Sequence, residues 1–457
     1  MNPRVFREYD IRGVAETDFP SSFVADLGRA IGTFLVEGGA RTITLGRDCR
    51  LSSPRIHGVI REAILSTGLD VVDVGIVHSP GLYFSVVHLG ADGGVMVTAS
   101  HNPGDDNGFK IVQGKGTIHG AAIQKLRQII ESGLFHKAAT PGTLREHDIL
   151  ADYVPYVADN IQLGTRRFKV VVDGGNGTGG LSILPILQRL GIETEALYCD
   201  PDGRFPNHHP DPTVPKNMQD LAERVRATGA ELGIALDGDA DRIGAVDGRG
   251  RIIWGDQLVM LFAREILSRR PGSTFVSEVK CSQALFDEVE RLGGRAIMWK
   301  VGHSLIKVKM RDEGAVLAGE MSGHMFFADR WFGFDDAVYA GMRLVELLTH
   351  APQTLAALYD TLPALHNTPE IRMDCPDDIK FEVVRRAVAH FSATHQVIDI
   401  DGARVTFPGG WGLVRASNTG PVLVLRFEAE TPERLAEIQS LVVDYLDTTI
   451  AAVSASA

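Results

Sequence analysis

Three aspartates spaced i, i+2 and i+4, namely Asp237, Asp239 and Asp241, stand in "LDGDADR" directly after the apolar run "LGIAL". Carboxylates this close repel one another unless a cation joins them. A hard divalent ion suits such oxygen ligands, and Mg²⁺ is favoured where a phosphate supplies a further one. The run is no EF-hand: the sixth position calls for Gly and holds Arg242, and the twelfth calls for Glu and holds Gly248. A second candidate is Ser100 in "GVMVTASHNPGDDNGFKI", where a strand-like run stops at a hydroxyl and Pro103 bars a regular ladder. Taken alone, the stretch fits either a nucleophile, with His101 as its conventional base, or a turn.

Other polar loops follow apolar runs. "GEMSGH" offers Glu320, Ser322 and His324, a hydrogen-bonding set suited to sugar hydroxyls. "RASNTGP" joins Arg415 to Ser417, Asn418 and Thr419, a plausible phosphate nest, although Asn and Gly equally suit a hairpin turn. "KVGHS" adds Lys300 and His303, and a lone His is more often a structural hydrogen-bonder than a catalyst. "VVVDGGNGTGG" carries a G-x-G-x-x-G spacing at Gly175, Gly177 and Gly180, with Asp200 further on as a dinucleotide site requires. That reading is not adopted. The equivalent turns "LGRDCR" and "SEVKCSQ" lack the glycines, and Asp200 runs into the turn-like "PDG".

The elements that must carry these loops come in repeats. "TITLGRD", "KVVVDGG" and "STFVSEVK" each open a strand–helix–strand pattern, and each pattern has a third strand that ends in one of the polar loops. Three α/β domains of like topology follow, with loops beyond equivalent strand ends, where open α/β sheets bind ligands. The expected boundaries are 1–150, 151–251, 252–364 and 365–457. The last segment reads as α+β, with strands joined by Gly-rich turns and a helix capped by Thr431.

The 457 residues are 44% apolar and 23% charged, the mix of a multidomain globular protein. No run reaches the ~18 apolar residues of a membrane helix, and the charged start "MNPRVFREYDIRG" lacks a signal-peptide core. Four scattered cysteines without a CxxC pair suit a reduced, cytoplasmic setting. A net charge of −12 argues against nucleic acid or an anionic membrane as partner. An anionic small substrate then requires basic groups gathered in one cleft. Arg12, Lys110, Arg242, Lys280, His303, His324 and Arg415, drawn from all four segments, could supply them.

In this order, "TASHNP", "DGDADR", "GEMSGH" and "RASNTGP" resemble the four signature loops of the α-D-phosphohexomutases, nearest the bacterial phosphomannomutase/phosphoglucomutase type. "YDIRG" and "RWFGFDDA" extend the resemblance over essentially the whole chain. The resemblance implies three topologically similar mixed-sheet α/β domains plus a C-terminal α+β domain around one central cleft. Ser100 would be carried as a phosphoserine, and Asp237, Asp239 and Asp241 would hold Mg²⁺ with a phosphoserine oxygen as a further ligand. Glu320, Ser322 and His324 would meet the sugar, while Arg415, Ser417, Asn418 and Thr419 would take the non-reacting phosphate. Tyr9, Arg12, Asn102, Lys110, Arg242, Lys280 and His303 match other cleft positions, with Lys110 and His303 as candidates for proton transfer.

The implied reaction is reversible phosphoryl transfer between the 1- and 6-positions of mannose or glucose phosphates. It runs through a hexose 1,6-bisphosphate, glucose or mannose 1,6-bisphosphate being intermediate and activator. The alternatives are a phosphoglucosamine mutase, a metal-dependent sugar phosphatase and a non-catalytic sugar-phosphate sensor. A monomer is expected.

Overall fold

The computed structural model describes residues 1–417 and 420–455. Its first three sheets share one strand order. In the first, strand Thr42–Arg47 lies between Asp70–Ile76 and Gly93–Val97, parallel to both, and Asp106–Gln113 returns antiparallel beside Gly93–Val97. In the second, Val170–Asp173 lies between Thr194–Leu197 and Leu232–Leu236, with Ile243–Asp247 returning. In the third, Thr274–Glu278 lies between Arg295–Trp299 and Leu317–Gly319, with Met325–Phe327 returning.

The expected architecture is therefore present, mixed sheets included. "TASHNP", "DGDADR" and "GEMSGH" are the three connections from a third strand to its antiparallel return. The strands leading into the first two, Gly93–Val97 and Leu232–Leu236, are buried along their whole length, as parallel strands covered on both faces must be.

The fourth unit is a six-stranded antiparallel sheet. Its longest pairing, Gly410–Ala416 with Val422–Ala429, ends where "RASNTGP" begins. Helices Lys380–Ser392 and Pro432–Ser454 cover it. Thr431 caps the second, its side chain accepting from the Arg434 amide. Elsewhere one hydrophobic core runs through the second and third sheets. Helix Ala337–His350 crosses it, and Trp331 stacks on Tyr339 with ring centroids 4.3 Å apart. The Ala337 amide donates to the Ala240 carbonyl at 3.2 Å, which ties this core to the acidic loop.

Candidate active site

Ser100 is 2% exposed and sits in the left-handed region at φ 51°, a conformation a non-glycine residue holds only when its surroundings impose it. Arg50, fully buried, supplies that constraint. Its guanidinium donates to the carbonyls of Ser100 and Asn102 at 2.7 Å, of Asp106 at 3.0 Å, and of Pro103. Asp48 holds the same group at 3.1 Å. On the other side of the loop, Arg12 binds Asp10 at 2.7 Å and Asn102 Oδ1 at 3.0 Å. The Ser100 hydroxyl donates to Asp237 Oδ2 at 2.6 Å, across the boundary between the first two units. His101 Nδ1 lies 3.2 Å from the same hydroxyl, and burial and then Arg242 push its pKa well down, so this ring is neutral.

The three aspartates are wholly buried. Asp237 Oδ1 accepts the amides of Asp241 and Arg242 at 3.0 and 3.1 Å, folding the loop on itself. Lys110 Nζ donates to Asp239 Oδ2 at 2.6 Å, to Asp241 Oδ2, and to Ser79 Oγ at 3.4 Å. Ser79 in turn donates to Asp239 Oδ2 at 2.5 Å. The opposite oxygens, Asp239 Oδ1 and Asp241 Oδ1, are buried without a hydrogen-bond partner. Buried acceptors of this kind are rare, because leaving one unmet costs about 1–3 kcal/mol. Burial, then the Asp239 and Asp241 charges, push the Asp237 carboxyl well above its ordinary range. One lysine therefore does not neutralise the cluster, and the free oxygens point to a divalent cation. The ligand atoms of all three carboxylates lie within 4.8 Å of one another, so the residues fit the metal.

The third unit's loop is joined to the acidic one by backbone pairing of Arg242 with His324 and by the Ile243 amide on the Gly323 carbonyl at 3.0 Å. Arg242 Nε meets His324 Nε2 at 3.1 Å. Glu320 Oε1 accepts the Gly302 amide at 2.7 Å. Tyr9 reaches over from the first unit, its hydroxyl on the Val301 carbonyl at 2.8 Å and its ring edge-on to His303. Glu278 accepts the Lys280 amide at 2.5 Å, and Lys280 Nζ pairs with Glu370 of the fourth unit at 3.1 Å. Burial opposes the Lys280 charge, but Glu278 and Glu370 outweigh it and hold the ammonium above its usual range. Arg415 pairs with Asp401 at 3.1 Å, and Asp401 also accepts the Val301 amide at 3.0 Å.

A cleft of about 1040 Å³ opens between these loops; of the three aspartates only Asp241 lines it, with Asp237 and Asp239 behind. Its lining includes Tyr9, Arg12, Ser100, Asn102, Lys110, Asp241, Arg242, Lys280, His303, Glu320, Ser322, His324, Arg415 and Ser417. Eight Arg and Lys side chains line it against six Asp and Glu, an excess of positive charge in a chain of net charge −12. The requirement set by the sequence is met. Asn418 and Thr419 lie outside the described residues. Lys300 is exposed and does not line the cleft.

The glycine loop serves packing. A Cβ on Gly177 would stand 2.6 Å from the Gly238 carbonyl oxygen, and one on Gly180 2.1 Å from that of Cys199, so no pyrophosphate has room to approach. Arg50, Ser79, Asp335 and Asp401 were not singled out from the sequence. Asp335 stood inside the quoted "RWFGFDDA" and Arg50 inside "LGRDCR", but neither stretch was read for those residues.

Four units around one basic cleft, with a buried serine set against an acidic triad, make up a phosphohexomutase. The phosphoglucomutase/phosphomannomutase domains match in order: alpha/beta/alpha domain I at residues 3–137, domain II at 151–250, domain III at 254–365 and the C-terminal domain at 370–444. The chain belongs to that family. It is 44% identical over 438 residues to the phosphomannomutase/phosphoglucomutase of Pseudomonas aeruginosa, covering 96% of this chain and 94% of that protein. It is 44% identical over 439 residues to the phosphoglucomutase of Neisseria meningitidis serogroup A, covering 95% of each. A crystal structure of a phosphoglucomutase/phosphomannomutase family protein from Burkholderia thailandensis superimposes with a TM-score of 0.92 at 42% identity, over 98% of both chains.

Proposed function

We propose that this enzyme moves a phosphoryl group between the 1- and 6-positions of mannose or glucose phosphates, with Ser100 as the covalent carrier. The observation that carries the reading is the Ser100 hydroxyl, buried at the cleft and 2.6 Å from a carboxylate of the triad. Phosphorylated, Ser100 bears close to two negative charges. Mg²⁺ held by Asp237, Asp239, Asp241 and a phosphoserine oxygen supplies charge neutralisation for the transfer.

The O–P bond of Ser100 breaks as one forms to the free hydroxyl of a bound hexose monophosphate. The serine oxygen takes a proton and the sugar oxygen gives one up. The resulting 1,6-bisphosphate turns round and returns its other phosphate to Ser100. Arg12, Asn102 and Arg242 orient the transferring group. Glu320, Ser322 and His324 bind sugar hydroxyls. Lys280, Arg415, Ser417, Asn418 and Thr419 hold the distal phosphate.

Proton exchange with the sugar falls to His303. The Lys110 ammonium, donating to two carboxylates, stays a cation. We assign the carrier serine to segment 1–150, the metal to 151–251, the sugar loop to 252–364 and the phosphate nest to 365–457. The enzyme acts as a cytoplasmic monomer on small hexose phosphates, with no nucleic-acid or membrane partner, and glucose or mannose 1,6-bisphosphate primes it.

Coupled assays with the 1-phosphates of mannose, glucose and glucosamine, with and without chelator, test this. Metal-dependent conversion of mannose or glucose 1-phosphate to the 6-phosphate is expected. Release of inorganic phosphate, or turnover of glucosamine 1-phosphate alone, contradicts the reading.

A further inference from the structure

We propose that Ser79 is a positioning residue that leaves Asp239 a single oxygen to give, and so tunes the acidic triad to Mg²⁺ over Ca²⁺; this rests on the metal reading above. Ser79 belongs to the first unit and does not line the cleft. It is wholly buried at the first residue of helix Ser79–His88. Its hydroxyl donates to Asp239 Oδ2 at 2.5 Å and its amide to the Asp239 carbonyl at 3.0 Å. One residue of the first unit thus clamps both side chain and main chain of a residue in the second. His78 keeps that clamp in place, because its ring caps the helix by accepting the Gly81 amide at 2.9 Å.

Lys110 Nζ is a second donor to Asp239 Oδ2, at 2.6 Å. A carboxylate oxygen with two donors in place has no lone pair left for a metal. The other oxygen, Oδ1, is buried and bare. Asp239 therefore has one oxygen to offer. The rest of the triad is restricted alike. Two amides take Asp237 Oδ1, leaving Oδ2 beside Ser100. Lys110 takes Asp241 Oδ2, leaving Oδ1 bare.

Ca²⁺ collects about six to eight oxygens and often takes two from one carboxylate, whereas Mg²⁺ demands a strict octahedron. Three carboxylates that give one oxygen each suit the smaller ion. The donors that impose this differ in kind. Those on Asp237 are main-chain amides, and Lys110 brings a charge that itself opposes a cation. Among the described residues, Ser79 is the neutral side chain that holds an oxygen of the triad away from the metal. Its removal changes the geometry and leaves the charge of the site intact. A mere tether between the two units would, when cut, weaken both ions alike.

Calorimetric titration of the chelator-stripped, unphosphorylated protein with MgCl₂ and with CaCl₂ reads this without turnover. Ser79→Ala leaves Asp239 Oδ2 with Lys110, so no buried acceptor is stranded, and urea unfolding in chelator checks that the variant folds. Should it not fold, Ser79→Cys, a weak donor, takes its place with the same expected ratio. The Mg²⁺ dissociation constant should rise about 10–100-fold, as when a group that orients a metal ligand is lost. That for Ca²⁺ should stay within about threefold, because a carboxylate released on one side can turn both oxygens to the larger ion. Ser79→Thr keeps the hydroxyl and should return Mg²⁺ binding to within about threefold of wild type. Equal weakening of both ions in Ser79→Ala, no change in either, a larger loss of Ca²⁺, or a Ser79→Thr that binds Mg²⁺ as poorly as Ser79→Ala overturns the proposal. A wild type that binds neither ion sinks the metal reading and the proposal with it. One that binds Mg²⁺ but turns over no hexose phosphate sinks the phosphoryl-transfer reading instead, and the ratio still decides the role of Ser79.

Discussion

Lys110→Met separates the lysine's electrostatic work from the metal's. The Lys110 ammonium is 3% exposed and donates at 2.6 Å to Asp239 and also to Asp241, both buried. Burial opposes its charge, yet the two carboxylates outweigh that and hold its pKa well above the ordinary value. Removing one member of a buried ion pair leaves its partner uncompensated and costs about 3–5 kcal/mol. The metal-free variant should therefore lose roughly that much stability, read as a lower urea midpoint in chelator. A divalent cation should do the opposite of what the bare loss suggests. The variant offers two carboxylates that no longer share their charge with an ammonium, so Mg²⁺ should bind at least about tenfold tighter, a gain of ~1.4 kcal/mol. Saturation at about 100 times the dissociation constant returns about 2.7 kcal/mol. Calorimetric titration with MgCl₂ beside urea curves with and without the ion measures both quantities. Weaker Mg²⁺ binding in the variant, or equal loss of stability with and without the ion, refutes the reasoning that lysine and metal share the same carboxylates from opposite edges.

Asp336 accepts Tyr153 Oη and the Tyr339 amide at 2.9 and 2.8 Å, and burial raises its pKa to about 7. Its folded value exceeds its unfolded one, so the native state binds the extra proton. The stabilisation is full below the unfolded pKa and is lost as pH rises through about 7. Wild type should lose about 1–4 kcal/mol between pH 5 and pH 8 from this group, and Asp336→Asn should flatten that slope in urea unfolding. Arg50→Lys keeps a cation but cannot reach four carbonyls. A loss of about 2–4 kcal/mol is expected, together with faster amide exchange confined to the peptide around Ser100. Gly177→Ala drives a Cβ into the Gly238 backbone and should cost about 1–3 kcal/mol and lower kcat, while NADH fluorescence stays unchanged by wild type and variant alike.

The repeat was legible because each copy writes the same sequence of strand, helix and strand and ends in a linear polar motif. The placing of the candidate site was legible for the same reason: Ser100, the aspartates and "GEMSGH" all occupy one kind of strand-end connection. Arg50 was not, because its partners are main-chain carbonyls about fifty residues away, which carry no residue-type signal. The neighbours Asp335 and Asp336 look alike in "FGFDDA" but meet opposite surroundings. Lys307 and two histidines face Asp335 and, against the effect of burial, hold it ionised, whereas burial raises Asp336 beside Tyr153. Periodicity cannot tell such neighbours apart. Lys110 entered as a proton-transfer candidate with the family resemblance, and only the geometry shows its ammonium engaged by two carboxylates. The glycine loop matched a nucleotide fingerprint in spacing, and only the contact with Gly238 shows that the space is filled.

The central claim is that Ser100 carries the phosphoryl group. Intact-mass measurement of the protein incubated with glucose 1,6-bisphosphate and Mg²⁺, followed by peptide mapping, tests it most directly. One added phosphoryl group located on Ser100, absent from Ser100→Ala and removed by hexose monophosphate with formation of the bisphosphate, is the predicted result. An unmodified Ser100 in an enzyme that still interconverts the hexose phosphates, or a phosphoryl group that persists in Ser100→Ala, contradicts it.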